Sequence, residues 1–239
     1  RATNMDLLES SVATSWKRFR RWYLRPWRTV RYGEISVYYK KHLDGGGSSF
    51  GQGYIPFLKS RGMPKQQKVF EWCSGPAFIG FSILAHELCE TLCLADINEQ
   101  AVEACRRTIR ANRLEERVSL YHSDNLQNIP SYECWDLVVG NPPFYNETQP
   151  WCIRSHDKDW QIHRRFFARV GHFLKPGGVI LLQEANDAST PADFQKMIED
   201  AGLSLVLVHN FKPGEMSHYY MGMVRRTETP PSWLVKGGN

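Results

Sequence analysis

Short apolar runs and amphipathic stretches follow one another along most of this chain. Residues 68–72, 91–95, 118–122, 135–139, 179–184, 203–209 and 219–225 are mostly apolar and rich in Val, Leu, Phe and Tyr. Runs of that length, bounded by polar or glycine-containing turns, read as strands covered on both faces. Between them, residues 81–88, 99–112 and 192–201 carry helical spacing. Strand–helix alternation predicts an α/β fold: a seven-stranded, mostly parallel sheet with helices on both faces. The last two runs are joined by Lys212-Pro213-Gly214-Glu215, a turn signal, which makes the final strand antiparallel. Alternation at Ile35, Val37 and Tyr39 adds a short strand or hairpin before the main sheet.

The run 135–139 ends in Gly140-Asn141-Pro142-Pro143-Phe144-Tyr145. Each proline fixes its own φ and lacks an N–H, and Pro143 drives Pro142 towards extended geometry, so the loop is stiff. It offers the side-chain carbonyl of Asn141, the backbone carbonyl of Pro142 and the flat face of Phe144. Two acceptors and a stacking surface suit a planar group bearing –NH₂. Hydrogen bonds that pull such a nitrogen towards pyramidal geometry restore its lone pair and aim it at an electrophile. A structural Pro-Pro turn on which Phe144 merely packs is the competing reading.

Upstream, the strand 68–72 runs into Cys73-Ser74-Gly75-Pro76-Ala77, small residues ahead of a helix, where a ligand can approach the backbone closely. Asp96 ends the next strand, 21 residues after Gly75, the position from which an acidic residue binds a ribose diol in doubly wound sheets. Ser123-Asp124-Asn125 ends the third strand. Each acid taken singly is also an ordinary cap or turn residue.

Residues from about 70 to 225 resemble a class I S-adenosylmethionine-dependent methyltransferase of the Asn-Pro-Pro-aromatic branch, a Rossmann-like fold. The resemblance implies a cofactor site of Glu71, Cys73, Gly75, Asp96, Ile97, Asp124, Asn125 and Asn141. Glu71 would begin the glycine-rich loop, Asp96 would bind the ribose hydroxyls and Asp124 would approach the adenine amine. It also implies that Asn141, Pro142, Pro143 and Phe144 hold the target nitrogen. His172-Phe173-Leu174-Lys175-Pro176-Gly177-Gly178-Val179 resembles the family's turn into its fifth strand. Cys73 and Ala77 depart from the pattern, standing where the family has glycines.

Charge and composition add a second theme. The 239 residues, 42% of them hydrophobic, suit one α/β domain. The formal charge is +5, yet residues 16–31 alone hold seven basic residues and no acid, interleaved with Trp16, Phe19, Trp22, Tyr23 and Trp27. Arginines on phosphates with aromatics on unpaired bases would make this an RNA- or DNA-binding arm, with Arg18, Arg20, Arg21 and Trp22 as contacts. Aromatics packed on the domain with arginines reaching to water, or an arm lying on an anionic membrane, are the alternatives. The division expected is a basic, aromatic extension and lid over 1–60, a methyltransferase domain over 61–226 and a loose tail over 227–239. Within the extension, Phe50 to Tyr54 is either a cofactor lid or a hinge loop without ligand contact. Tyr145, Trp151 and His156 border the expected pocket and are candidate substrate contacts.

Six cysteines without a Cys-x-x-Cys pair, no apolar run long enough for a membrane span and no signal-peptide core fit reduced thiols in a cytoplasmic protein. No metal-ligand spacing accompanies His163, His172 or His209. The expected activity is methyl transfer to a nitrogen, most simply adenine N6 in RNA. A small amine or amino acid, or a protein glutamine amide, would use the same loop, and a non-catalytic cofactor-binding module is the third possibility.

Overall fold

A computed structural model describes residues 26–147, 155–211 and 218–235. A hairpin of β1 (Arg28–Tyr32) and β2 (Ile35–Tyr39) precedes α1 (Tyr54–Ser60). The first half of the main sheet follows as β3 (Gln66–Trp72), α2 (Phe78–Ala85), β4 (Cys89–Asp96), α3 (Glu99–Asn112) and β5 (Val118–His122). The second half is β6 (Trp135–Gly140), α4 (Gln161–Val170), β7 (Leu174–Ala185), α5 (Pro191–Asp200), β8 (Leu203–Asn210) and β9 (His218–Arg225), before a last turn of helix, α6 (Ser232–Val235). Seven strands form one sheet in the order β5-β4-β3-β6-β7-β9-β8, and β9 is antiparallel to both its neighbours. The expected sheet, including its antiparallel last strand, is therefore present.

Neighbouring residues along each strand enter opposite cores, except where β6 shifts register between Trp135 and Leu137. Val69, Leu92, Leu137, Val139 and Leu181 enter one core with the hairpin, α1 and α2. Phe70, Trp72, Val138, Ile180 and Leu182 enter the other with α4 and α5. In that second core Phe70 stacks on Trp135 at 3.9 Å and Trp72 on Phe166 at 3.8 Å. The sheet has an apolar face on each side, which is why its strands read as continuous rather than alternating runs.

Four expectations need correction. The helix expected over 81–88 begins three residues earlier, because Ala77 takes a left-handed conformation (φ 60°) and starts α2 at once, while left-handed Glu87 (φ 55°) turns the chain into β4. The boundary at residue 60 is not a boundary: Ile35, Val37, Tyr54 and Leu58 are buried in the core of the main domain. Side chains of α3 cap the hairpin's backbone, with Asn112 bonding both the N–H and the carbonyl of Ser36 at 2.9 Å and Thr108 Oγ1 accepting from Tyr38 N–H at 2.9 Å. The basic segment 16–31 accordingly ends inside β1. Finally, the tail is packed as far as Val235: Trp233 and Leu234 are buried, and the Arg61 guanidinium donates to the Leu234 carbonyl at 2.8 Å. Two apolar residues were enough to anchor a stretch otherwise polar and proline-rich.

Tyr54 links this N-terminal layer to the end of the sheet. Its hydroxyl, fully buried, lies 2.9 Å from the carbonyls of both Gly140 and Leu181, at the C-terminal ends of β6 and β7. Replacing it by Phe keeps the ring and removes the only donor of that side chain. Tyr54→Phe is expected to lower the unfolding free energy by about 1–3 kcal/mol, the usual consequence of leaving a buried acceptor unsatisfied. Urea denaturation of the two proteins measures it, and an unchanged midpoint would contradict the role assigned to the hydroxyl.

Candidate active site

Parallel strands carry their C-terminal loops to one edge, and here four such loops meet. Trp72 pairs with Ala95 on one side and Gly140 on the other, and Asp96 pairs with His122, so β3, β4, β5 and β6 end level. Gly140 is needed for that approach, since a Cβ there would stand 2.8 Å from the Trp72 carbonyl. The order of strands reverses between β3 and β6, the topological switch point at which open α/β sheets bind ligands.

A cavity of about 750 Å³ opens at this edge. All eight residues of the expected cofactor site line it: Glu71, Cys73, Gly75, Asp96, Ile97, Asp124, Asn125 and Asn141. The loop after β3 explains the family departure, because Cys73 (φ 52°), Gly75 (φ 53°) and Ala77 (φ 60°) are all left-handed. Cys73 and Ala77 adopt the conformation that glycine supplies without a Cβ penalty, which for other residues costs roughly 1–2 kcal/mol each. The loop stores strain.

The loop is held by two carboxylates. Asp96 Oδ2 accepts from Gly75 N–H at 2.7 Å and Oδ1 from Asn98 N–H at 2.7 Å. Glu71 Oε2 accepts from Gly80 N–H at 2.7 Å, tying β3 to the first turn of α2. Burial pushes the Glu71 carboxyl up to about 8 against the pull of the Gly80 and Ile79 amides. A bound cation would favour its ionised form. Burial also pushes the Cys73 thiol well up, which removes it as a thiolate nucleophile. Asp124 is ion-paired with Arg165 at 2.8 Å, whereas neighbouring Asn125 donates to the Ile162 carbonyl at 2.8 Å and keeps a buried Oδ1 without a donor.

The fourth wall was not expected in this place. His42, Leu43, Asp44, Gly45 and Gly47 line the large cavity, and the Asn141 amide donates to the Gly45 carbonyl at 3.4 Å. Gln52 fastens this strip by donating to the carbonyls of Gly47 (2.9 Å) and Phe78 (3.3 Å). Residues 42–45 and 47 wall the large cavity, and none of Phe50 to Tyr54 lines it. Phe50 instead lines a second cavity of about 210 Å³, with Asn141, Phe144, Tyr145, Gln183, Glu184, Ala185, Asp187 and His218. Asn141 and Phe144 border both cavities, and Pro142 and Pro143 border the larger.

His156 lines neither cavity, and its Nε2 lies 3.0 Å from the Asn146 carbonyl. Arg18, Arg20, Arg21, Trp22 and Trp151 lie outside the described residues. Trp27, at the described end of the basic segment, sits beneath Lys40 (5.2 Å) and Arg107 (4.7 Å). No group of three or more His, Cys, Asp or Glu among the described residues could hold a metal ion, and no helix among them is long and apolar enough to cross a membrane.

Behind the loop lies a buried charge cluster that sequence reading missed. His163 is fully buried, with Nδ1 2.7 Å from Asp157 Oδ2 and Nε2 3.0 Å from Glu184 Oε1. Asp157 also accepts from the N–H groups of Ile162 (2.7 Å) and His163 (3.0 Å) at the start of α4, and its own N–H donates to the Tyr145 carbonyl at 2.8 Å. Burial works against a charged imidazole, but the two carboxylates prevail and hold His163 up at about 9.

The methyltransferase small domain family model matches residues 33–202. The chain belongs to that family. Among curated relatives, the release factor glutamine methyltransferase of Clostridium acetobutylicum is 30% identical over 142 residues, 52% of this chain and 50% of the relative. Ribosomal RNA small subunit methyltransferase C of Shewanella denitrificans is 31% identical over 113 residues, 47% of this chain and 29% of the relative. The chain thus spans half or less of these two relatives. A 16S rRNA N2 methyltransferase of T. thermophilus, solved with S-adenosylmethionine and guanosine, superposes with a TM-score of 0.59 over 84% of this chain and 50% of the other at 14% identity. The ribosomal protein L11 methylase of Lactobacillus delbrueckii subsp. bulgaricus gives 0.54 over 74% and 78% at 15% identity. At such identities these likenesses concern the fold.

Because the folded pKa of His163 lies above the ordinary 6.5, its charge contributes stability that is fully present below pH 6.5 and is lost as pH rises through about 9. Urea unfolding between pH 6 and 10 should show this decline. His163→Gln should remove the step and cost about 3–5 kcal/mol at neutral pH, since two buried carboxylates lose their cation.

Proposed function

We propose that the protein transfers a methyl group from S-adenosylmethionine to the planar amine of an unpaired base in RNA. The observation that carries this reading is the placement of Asn141 and Phe144 on the wall shared by the two cavities. The larger has room and chemistry for the cofactor. Asp96, although bonded to two amides, keeps lone pairs for ribose hydroxyls. Asn125 Oδ1, buried without a donor, suits the adenine amine, and Glu71 lies where a positive charge would ionise it. When bound, S-adenosylmethionine supplies a methyl group on a sulfonium, already activated for displacement.

The chain's own residues do the rest. The Asn141 side-chain oxygen and the Pro142 carbonyl accept the two amine hydrogens, and Phe144 supports the ring. The nitrogen lone pair would thereby be turned towards the methyl group that the bound cofactor would supply, and the methylated nitrogen would release its proton to solvent. Positioning and exclusion of water carry the catalysis, so no protein nucleophile is required.

RNA is favoured by the hairpin. Lys40 and Arg107 lie over Trp27 and Arg107 also lies over Tyr38, and Lys41 leads directly into the strip 42–47 that walls the large cavity. The basic residues 16–25 continue the same chain segment. Adenine N6 is the simplest target by sequence. Relatives named for ribosomal RNA support a nucleic-acid substrate, and those named for release factor glutamine support the competing protein amide.

Asn141→Ala should raise the barrier to transfer by about 2.7–4 kcal/mol, measured as the fall in kcat at saturating cofactor. Undiminished turnover would refute the clamp. RNA affinity should fall linearly on a log–log salt plot, by about 0.7 for each phosphate contacted on a single strand. A flat salt titration with mixed oligonucleotides, together with transfer to a glutamine peptide, would replace RNA by the protein amide.

A further inference from the structure

Arg107, on α3, is held in place by rings rather than by an acid. Its guanidinium lies 4.7 Å from the centre of the Trp27 ring and 5.3 Å from that of Tyr38. Trp27 directly precedes β1, and Tyr38 pairs with Thr29 on the outer face of the hairpin, whereas Val30 and Val37 turn inward to the core. The N–H of Tyr38 donates to Thr108 Oγ1 at 2.9 Å, so the residue after Arg107 pins the strand that carries one of the rings. The carboxylate one turn earlier on α3, Glu103, is taken by Arg106 at 2.5 Å, and Glu34 of the hairpin is taken by Arg31 at 2.9 Å. Arg28, Lys41, Arg107 and Arg110 are exposed and have no ion pair among the described residues. A guanidinium stacked on aromatic rings keeps its planar fork of N–H donors free for a phosphate, and loses less freedom on binding than an unsupported side chain.

We propose that the outer face of the hairpin and the adjoining flank of α3 form a binding site for the RNA backbone. Arg107 is its fixed phosphate fork, and Arg28, Lys41 and Arg110 are its further cations. This rests on the RNA reading and deepens it, by assigning the backbone to one face of the domain. The site is separate from the reacting atoms, since none of these four residues lines either cavity. Helix α3 joins the two places. Gln100, in its first turn, lies 2.8 Å from Nε2 of His42 on the cavity wall, and Arg107 and Arg110 follow about 10 and 15 Å further along the axis. Lys41 directly precedes His42, so cations continue up to the border of the cavity. A strand that delivers a base to the pocket crosses the strip 42–47 and continues onto this face. Charge favours a polyanion here, and the geometry favours phosphodiesters over a lipid surface. A helix or hairpin lying on a bilayer presents an exposed apolar face. Here both rings are half-buried, and exposed Arg107 lies over them.

Fluorescence anisotropy with the full chain and a labelled single-stranded RNA of mixed sequence provides the test, because it needs neither cofactor nor turnover. Arg107→Gln should weaken binding about 10-fold at low salt, the lower end for a hydrogen bond to a charged group. It should also reduce the log–log salt slope by about 0.7, and Arg107→Gln combined with Arg110→Gln by about 1.4. Arg107→Lys keeps the charge and loses the fork, so it should retain the slope while losing part of the affinity. Lys196→Gln, on α5 against the other face of the sheet, should change neither. If Arg107→Gln does not fold, Arg110→Gln carries the same slope test on an exposed side chain without an ion pair. RNA binding with the parent's affinity and slope in these arginine variants would overturn the site while leaving the RNA reading in place. A fall in unfolding midpoint with RNA binding unchanged would likewise make Arg107 a structural residue only. Binding to phosphatidylserine vesicles but not to RNA, or transfer to a glutamine peptide without RNA binding, would overturn the RNA reading and this site with it.

Discussion

The level ending of β3 with β4 and β6 is the constraint on which the site depends. Parallel pairing fixes Trp72 against Ala95 and Gly140, and Asp96 against His122, so that four consecutive loops are delivered to one edge. A slip of one residue in any of these pairings would invert which side chains face the cores and move a loop away from its neighbours. The absence of a side chain at Gly140 lets β6 stop hard against the Trp72 backbone, and the Asn141 loop begins there. The loop after β3 and the Asn141–Phe144 loop thus line one cavity because two strands share a register.

Around that edge the protein holds its loops with buried acids rather than with a packed cap. Asp96 binds the Gly75 amide of the left-handed loop after β3, Glu71 binds the first turn of α2, and Asp157 binds the start of α4 together with His163. Each carboxylate is more expensive to bury than an apolar residue, and the expense is offset by hydrogen bonds to backbone N–H groups that have no other partner. Glu184 departs from this pattern in having one oxygen matched and the other not. The smaller cavity beside it is accordingly polar on one wall and aromatic on another, which suits a flat ring carrying several donors and acceptors.

Much of the site could be read from the chain because its residues follow strands. Asp96, Asp124, Asn125 and Asn141 stand directly after apolar runs, and strand ends in a parallel sheet converge by topology alone. The eight residues expected to form a cofactor site line one cavity for that reason. The seven strands were legible likewise, since a two-sided parallel sheet needs continuous apolar runs and those are conspicuous.

What the chain alone left open depends on contacts between distant segments. Nothing local marks residues 42–47 as a cavity wall in preference to Phe50 to Tyr54. That choice follows from Gln52 bonding Gly47 and Phe78 and from Tyr54 being drawn beneath the sheet to the carbonyls of Gly140 and Leu181. His163 reads as one more helix-face residue until α4 packs on β7, 21 residues away, and places Glu184 against it. The packed end of the tail is similar, for Trp233 and Leu234 find their pocket only once the opposite end of the domain is in place. Periodicity determined the elements and the edge where they meet. Long-range packing decided which buried charges pair.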